Sequence, residues 1–422
     1  MAFMKIDELK KIPSKFSLEQ FDVAVFAKDK IREMFRTGKL PTADAMVEEI
    51  VLRAVKEGAS DIHFEPSDFA LRVRLGYEGV MKKLVSLPKD TAENLANVLK
   101  AKAGLNAFEK KKPQEGRFTI TLGTMQLDLR ISTLPAVTGE RIALRILTKA
   151  SHIAKIEELG FSETNLERLK KLFNRPSGLL LITGPAGGGK TTTAYAAVNK
   201  LNTPEKNIFT VENPIEFKLD FATQVQPSAD KTFSIVDALR SILRQSPNVI
   251  LVGDVRDSET GNLTAEAAFI GTMVISTMLS SDAIGTIPRL LNLGISPYWL
   301  PSSLVGIAHQ QLVRKICESC KEEYQATSEE LSRLGTGTWG QTSYFHGKGC
   351  DACNGTGYRD RTAIQEILVV NDQLRDLIYE QAPSVKLKEA TFNAGFDDIR
   401  SDARNKVTEG ITTIAEFARS LG

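Results

Sequence analysis

The chain has 422 residues, more than one hydrophobic core usually serves, so two or three domains are expected. Its 42% hydrophobic and 25% charged residues are ordinary for a folded globular protein, and a net charge of +2 argues neither for nor against nucleic acid. No apolar run reaches the roughly eighteen residues of a membrane span, and the charged start from Met1 to Lys11 lacks the apolar centre of a signal peptide. A cytoplasmic protein without a transmembrane segment is therefore expected.

Residues 1–41 form a charged lead segment with an amphipathic stretch from Phe16 to Phe35, stopped by Gly38 and Pro41. Thr42 then reads as the N-cap of a helix ending near Lys56. Met46, Val47, Ile50, Val51 and Val55 lie on one apolar stripe, and Gly58 follows its end. Alternating strands are expected at 61–65, 71–75 and 141–147, with a hairpin pairing 118–122 with 125–131 and a helix over 91–103. Residues 42–150 thus read as a small α+β domain. Arg117, Arg130, Arg141 and Arg145 lie on or beside its strands, where a solvated sheet face needs no function. The polar linker at 151–158, however, would let this domain swing over a nucleotide and present Arg117, Arg130 or Arg145 to a terminal phosphate.

From 159 to 310 the pattern alternates strands and helices, as in a parallel sheet covered on both faces. Leu179 to Ile182 is a buried strand. It leads into Gly184, Pro185, Ala186, Gly187, Gly188, Gly189, Lys190 and Thr191, a complete G-x-x-x-x-G-K-[ST] loop. Backbone N–H groups of such a loop cradle phosphates, the lysine reaches the terminal phosphoryl oxygens, and the threonine hydroxyl holds magnesium. Thr192 opens the expected helix to Leu201, whose positive end faces the phosphates. Downstream, the strand 207–211 ends at Glu212 and Glu216, and the strand 248–253 ends at Asp254 in the manner of a Walker-B acid. The strand 273–277 is expected to end in hydroxyls placed to sense the γ-phosphate.

Cys317, Cys320, Cys350 and Cys353 form two C-x-x-C pairs, which in a reducing compartment point to one tetrahedral, structural zinc ion and a small loop-rich subdomain at 311–361. The redox alternative, two dithiols, lacks thioredoxin-like surroundings. Residues 362–422 read as three short helices broken at Gly410. His63, His152, His309 and His346 are scattered, and none is nominated as catalytic.

These stretches resemble the secretion ATPase superfamily, in particular the GspE/PulE/PilB class that powers type II secretion and type IV pilus assembly. The likeness runs from about residue 42 to the C-terminus and is carried by ASDIHFEP (59–66), GRF (116–118), DLRISTLP (128–135), GERIALRIL (139–147), GPAGGGKTTTAY, VENPIEF (211–217), LRSILRQSPNVILVGDVRD (239–257), LVRKICESC (312–320) and GCDACNGTGYRDR (349–361). The resemblance implies an α/β fold: a RecA-like P-loop core, a preceding N2-like, PAS-like α+β domain, a zinc-binding subdomain and short C-terminal helices. It also implies a homo-hexameric ring using ATP, Mg²⁺ and Zn²⁺, peripheral to the inner membrane, that drives a platform protein of a pilus or secretion system. Nucleic acid is not an expected partner. The cysteine module resembles that of assembly and secretion motors, and retraction motors of the superfamily lack it.

Three departures bear on turnover. The family's larger N-terminal docking domain is expected to be missing or reduced to residues 1–41. Asp254 stands where the family has Glu. The segment resembling GHLVLSTLHTNDA reads GTMVISTMLSSDA, so Thr272 and Leu279 replace two histidines. The expected function is a motor ATPase, slowed by these departures; the alternative is an ATP-binding ring component that hydrolyses little and serves as scaffold or regulator.

Overall fold

The computed structural model describes residues 42–77, 80–123, 125–147, 153–228, 232–335 and 343–422. The lead segment 1–41 and His152 lie outside these. The chain divides into two compact units, Met1–Ala150 and Ser151–Gly422.

In the first unit, Thr42 Oγ1 accepts from the Ala45 amide and caps α1 (Ala43–Lys56). Five strands and one helix follow α1 as read from the pattern, with bounds shifted by a few residues: β1 (Asp61–Pro66), β2 (Ala70–Tyr77), α2 (Thr91–Lys102), β4 (Gln114–Leu122), β5 (Met125–Ala136) and β6 (Gly139–Leu147). A further strand, β3 (Val80–Pro88), was not expected. All pairings are antiparallel, in the order β3-β2-β1-β6-β5-β4. Ile62, Val73, Leu129, Ile131 and Leu144 point to one face and pack with Val47, Ile50, Leu95 and Leu99 of the two helices. The opposite face is solvated, as the alternation of apolar and polar residues requires.

Besides a separate antiparallel pair, β13 (Lys321–Tyr324) and β14 (Tyr344–Gly347), with α9 (Ser328–Arg333) between them in the chain, the second unit is built on a seven-stranded sheet in the order β15-β12-β7-β11-β10-β8-β9, where β15 is Tyr358–Val369. Its parallel strands are β7 (Gly178–Gly184), β8 (Ile208–Val211), β9 (Thr223–Val225), β10 (Val249–Val252), β11 (Met273–Leu279) and β12 (Leu304–Ile316). β7, β8 and β10 are buried at every position, the mark of strands covered on both faces. On one face α3 (Glu163–Phe173) and α4 (Lys190–Leu201) cover Leu180, Ile182, Leu251 and Ile275. On the other, α5 (Ile235–Leu243), α6 (Ser258–Phe269) and α7 (Ala283–Asn292) cover Leu181, Val211, Ile250 and Val274. A short helix, α8 (Trp299–Ser303), leads into β12.

Two expectations are corrected at the C-terminus. Residues 362–369 are not helical but form, with residues 358–361 of the expected cysteine subdomain, β15 (Tyr358–Val369), the antiparallel edge strand paired with β12 from Ile316↔Tyr358 to Gly306↔Val369. Four helices, not three, follow among the described residues: α10 (Asp372–Tyr379), α11 (Ser384–Asn393), α12 (Ile399–Thr408) and α13 (Ile414–Leu421), with Gly410 between the last two. The strand β12 also crosses the expected start of the cysteine segment, since residues 311–316 belong to the core sheet.

Candidate nucleotide site and cysteine cluster

The phosphate loop is shaped by the strand beneath it. β7 ends at Gly184 with φ +150, where a Cβ would stand 2.1 Å from the Gln310 carbonyl oxygen of β12, so only glycine fits. The Gln310 side chain is buried and donates from Nε2 to the Gly188 carbonyl at 2.6 Å. Pro185, Ala186 and Gly187 form the exposed crest of the loop. Gly189 adopts φ +81, and α4 starts at Lys190, two residues earlier than expected, which sets the first amides of the helix against the loop.

Lys190 Nζ donates to the carbonyls of Gly184 at 3.1 Å and Pro185 at 2.7 Å. Burial lowers its pKa, and the Asp254 carboxylate acts in the opposite sense. Thr191 Oγ1 donates to Glu216 Oε1 at 3.5 Å, and Thr192 is exposed on the first turn of α4.

The three expected acids all follow the carboxyl ends of strands, where ligands bind in such sheets. Glu212 follows β8 and is only 4% exposed. Tyr195 Oη donates to its Oε2, and Gln224 Nε2 donates to its Oε1 at 3.4 Å. Burial pushes the Glu212 pKa up despite these donors. Gly253 after β10 lies against the Glu212 backbone, and Asp254 follows it. Arg256 Nε donates to Asp254 Oδ2 at 2.7 Å, while Asp254 Oδ1 is buried without a hydrogen-bond partner.

The β11 hydroxyls are engaged elsewhere than expected. β11 runs two residues past Thr277, and Ser276 Oγ and Thr277 Oγ1 donate to the Val252 and Gly253 carbonyls of β10, so both hydroxyl protons are spent on the sheet. Thr272 and Leu279, which replace the two family histidines, lie at opposite ends of this strand. Leu279 is paired with Gly184 at the loop end, and Thr272 donates to the Pro247 carbonyl at the far end.

A buried polar row underlies the loop, and no motif or spacing in the chain signals it. Thr183, His309 and Glu366 are directly opposed on β7, β12 and β15. His309 Nδ1 lies 3.1 Å from Thr183 Oγ1, and burial lowers the imidazole pKa to about 4. Glu366 accepts from the amides of Ala283 at 2.6 Å and Ile399 at 2.8 Å, the first residues of α7 and α12, and burial raises its pKa to about 7. A single carboxylate thus caps two helices.

In the first unit, register brings the three candidate arginines into one line on the solvated face: Arg117 is opposite Arg130, Arg130 opposite Arg145, and Arg145 opposite Asp61. Arg130 pairs with Glu115 at 2.7 Å and Arg145 with Asp61 at 2.9 Å. Arg141 pairs instead with Glu65.

The four cysteines are free thiols whose sulfurs all lie within 4.8 Å of one another. Neighbouring pairs are separated by 3.7 to 3.9 Å. Four sulfurs at about 2.3 Å from a tetrahedral zinc stand about 3.8 Å apart, so the donor set fits that ion. The amides of Cys350 and Gly357 both donate to Cys353 Sγ at 3.2 Å, an arrangement that favours thiolate. No other group of this kind occurs among the described residues.

The sequence profile of the family described as type II/IV secretion system protein matches residues 37–419. The chain belongs to this family, the secretion ATPases. The secretion ATPase is 39% identical over 374 residues to the type II secretion system protein E of Pseudomonas aeruginosa, covering 89% of its own length and 74% of the relative's. It is also 39% identical over 419 residues to the type IV pilus assembly ATPase PilB of Thermus thermophilus, covering 98% of itself. It spans only 46% of that relative's length. Among solved structures, the Legionella pneumophila ATPase DotB matches with a TM-score of 0.64 at 18% identity, over 88% of this chain and 94% of that one. The pilus retraction motor PilT with bound ADP matches with a TM-score of 0.58 at 24% identity, over 88% and 96%. These two likenesses establish the fold of the secretion ATPase as that of P-loop ATPases.

Proposed function

We propose that this secretion ATPase is a homo-hexameric motor that hydrolyses ATP to drive assembly of a type IV pilus or a type II secretion pseudopilus through an inner-membrane platform protein. The observation that carries the reading is the placing of Lys190, Thr191, Glu216 and Asp254 around one phosphate loop. The names of its relatives, one a pilus assembly ATPase and one a type II secretion protein, supply the system. In this reading the loop from Gly184 to Thr191, with Thr192, binds ATP. Thr191 holds magnesium, with the unpartnered Oδ1 of Asp254 available to a magnesium-bound water. Magnesium would supply charge neutralisation at the phosphates.

Arg117, Arg130 and Arg145 are assigned to the nucleotide of a neighbouring subunit. The cross-strand register that sets the three guanidiniums in one row supports this assignment. The cysteine cluster would hold a structural zinc, since four thiolates leave no open position. The place of work is the cytoplasmic side of the membrane, and no nucleic acid takes part. No helix among the described residues is long and apolar enough to cross a membrane.

The Asp254–Arg256 ion pair favours a second reading, a ring scaffold that binds ATP and turns over little. A steady-state ATPase assay with Lys190→Ala as control, combined with mass measurement with and without nucleotide, separates the two. A hexamer with lysine-dependent hydrolysis supports the motor; a hexamer at background rate supports the scaffold.

A further inference from the structure

Tyr195 lies on α4 one turn after Thr191, so the two side chains share a helix face. It is 1% exposed, and its ring stands edge-on to Phe217 with centroids 5.4 Å apart. Phenylalanine would pack there equally well, which leaves the hydroxyl to be explained. That hydroxyl donates to Glu212 Oε2 and accepts from the amides of Glu216 and Phe217, both at 3.3 Å. One donor and two acceptor lone pairs are all a phenol has, and every one is spent on the segment carrying the candidate acids.

We propose that Tyr195 is a positioning residue for ATP hydrolysis: from the helix that begins with Lys190 and Thr191, its hydroxyl fixes the Glu212 carboxylate and the Glu216 backbone in register with the phosphate loop. The inference rests on the reading that Glu212 and Glu216 serve that site. Thr191 reaches Glu216 Oε1 from the same helix face, so the side chain of Glu216 is aimed by one hydroxyl and its backbone by the other. Gln224 ties the segment from the opposite side, donating to Glu212 Oε1 and to the Phe217 carbonyl and accepting from the Leu219 amide. The segment between β8 and β9 is therefore clamped between α4 and β9. Such a clamp matters to rate because a misplacement of about 1 Å at a reacting centre costs on the order of a hundredfold.

The groups acting on Glu212 are Tyr195 on α4, Thr210 on β8, Gln224 on β9 and the Glu216 carboxylate. Removing the phenol takes away a donor that lowers the Glu212 pKa, so its titration moves to higher pH.

The test is Tyr195→Phe in the full chain, with Glu212→Gln, Glu216→Gln and the Tyr195→Phe/Glu212→Gln double variant assayed beside it. Tyr195→Phe is expected to lower kcat by at least about tenfold, with KM for ATP changed by less than about threefold. It should also shift the acid limit of the pH–rate profile upward, with the melting temperature lowered by no more than a few degrees by the loss of the buried hydrogen bonds. In the Glu212→Gln background the same substitution should have little further effect, because the two act as one unit. If Glu212→Gln and Glu216→Gln both keep the parent rate, the reading of those acids fails, and this inference with it. If the acid variants lose activity while Tyr195→Phe keeps both kcat and pH profile, or loses only melting temperature, Tyr195 is a packing residue and the inference alone is overturned.

Discussion

Arg256 holds Asp254 on one side only: its Nε meets Oδ2 at 2.7 Å, and Oδ1 stays buried with no hydrogen-bond partner. The guanidinium is largely exposed, with 77% of the Arg256 side chain accessible, so the pair is screened by solvent and contributes little to stability. Its importance is in aiming the carboxylate.

Asp254 is one methylene shorter than the family's glutamate. A reach short by about 1 Å costs on the order of a hundredfold in rate. Asp254→Glu should therefore raise kcat with little change in nucleotide affinity, and Asp254→Asn should remove hydrolysis while ATP still binds. Steady-state kinetics with ATP-binding titrations decide the point. If both variants stay at the uncatalysed background while the ring assembles, the motor reading is lost to the scaffold.

The arginine row predicts a large effect on rate and a small one on stability. Alanine at Arg117, Arg130 or Arg145 should lower hydrolysis by roughly a thousandfold at one position at least, the scale of arginine fingers. The ion pairs of Arg130 with Glu115 and of Arg145 with Asp61 are solvent-exposed and contribute little, so each variant's melting temperature should stay close to the parent's. Full activity in all three variants would return the row to an ordinary solvated face.

Replacing Cys350 and Cys353 with serine should release about one zinc ion per chain and loosen the segment 317–357, since the metal supplies most of that module's folding free energy. Metal content of the reduced, purified protein and limited proteolysis give the readout. A parent protein without stoichiometric zinc contradicts the assignment.

His309 and Glu366 pull stability in opposite directions with pH. His309 titrates near 4 when folded against an ordinary 6.5, so the unfolded chain takes up the proton first and stability is lost as pH falls through that window. Glu366 titrates near 7 against an ordinary 4.5, so the folded chain holds the proton and stability is lost as pH rises through its window. Each effect is on the order of 3 kcal/mol across its window, and where the windows overlap they largely cancel. His309→Gln should leave only the Glu366 slope, making the variant more stable as pH falls from 7 towards 4.5. Urea unfolding across that range tests this, and superimposable profiles for parent and variant would refute it.

The features legible from sequence were those whose cause is local. Leu179 to Ile182 is a continuous apolar run, the glycines of the phosphate loop are required by its backbone, and Thr42 caps the helix beside it. What stayed hidden depends on partners distant in the chain. Residues 358–369 become a strand only because β12 offers a ladder, and nothing in their own spacing separates a short buried strand from a helix. The line through Arg117, Arg130 and Arg145 exists only once β4, β5 and β6 are in register. Glu366 looks like an ordinary surface acid until two helix N-termini converge on it. Thr272 and Leu279 read as one altered motif, yet the strand between them places only Leu279 beside the loop.

The cysteine module enters and leaves the core at a single point. Ile316 at the end of β12 pairs with Tyr358 at the start of β15, and the Cys317 amide donates to the Gly357 carbonyl at 3.0 Å. Residues 317–357 are thus a graft at the tip of one hairpin, with both attachment points side by side. Removing it leaves a gap that a short turn could close with every strand of the core sheet in register, but it also bares Ile399, Ala403 and Phe417, which pack against Leu334 and Tyr344 of the module. A different module spliced at the hairpin tip would therefore have to bring an apolar face for these helices as well as its own ligands.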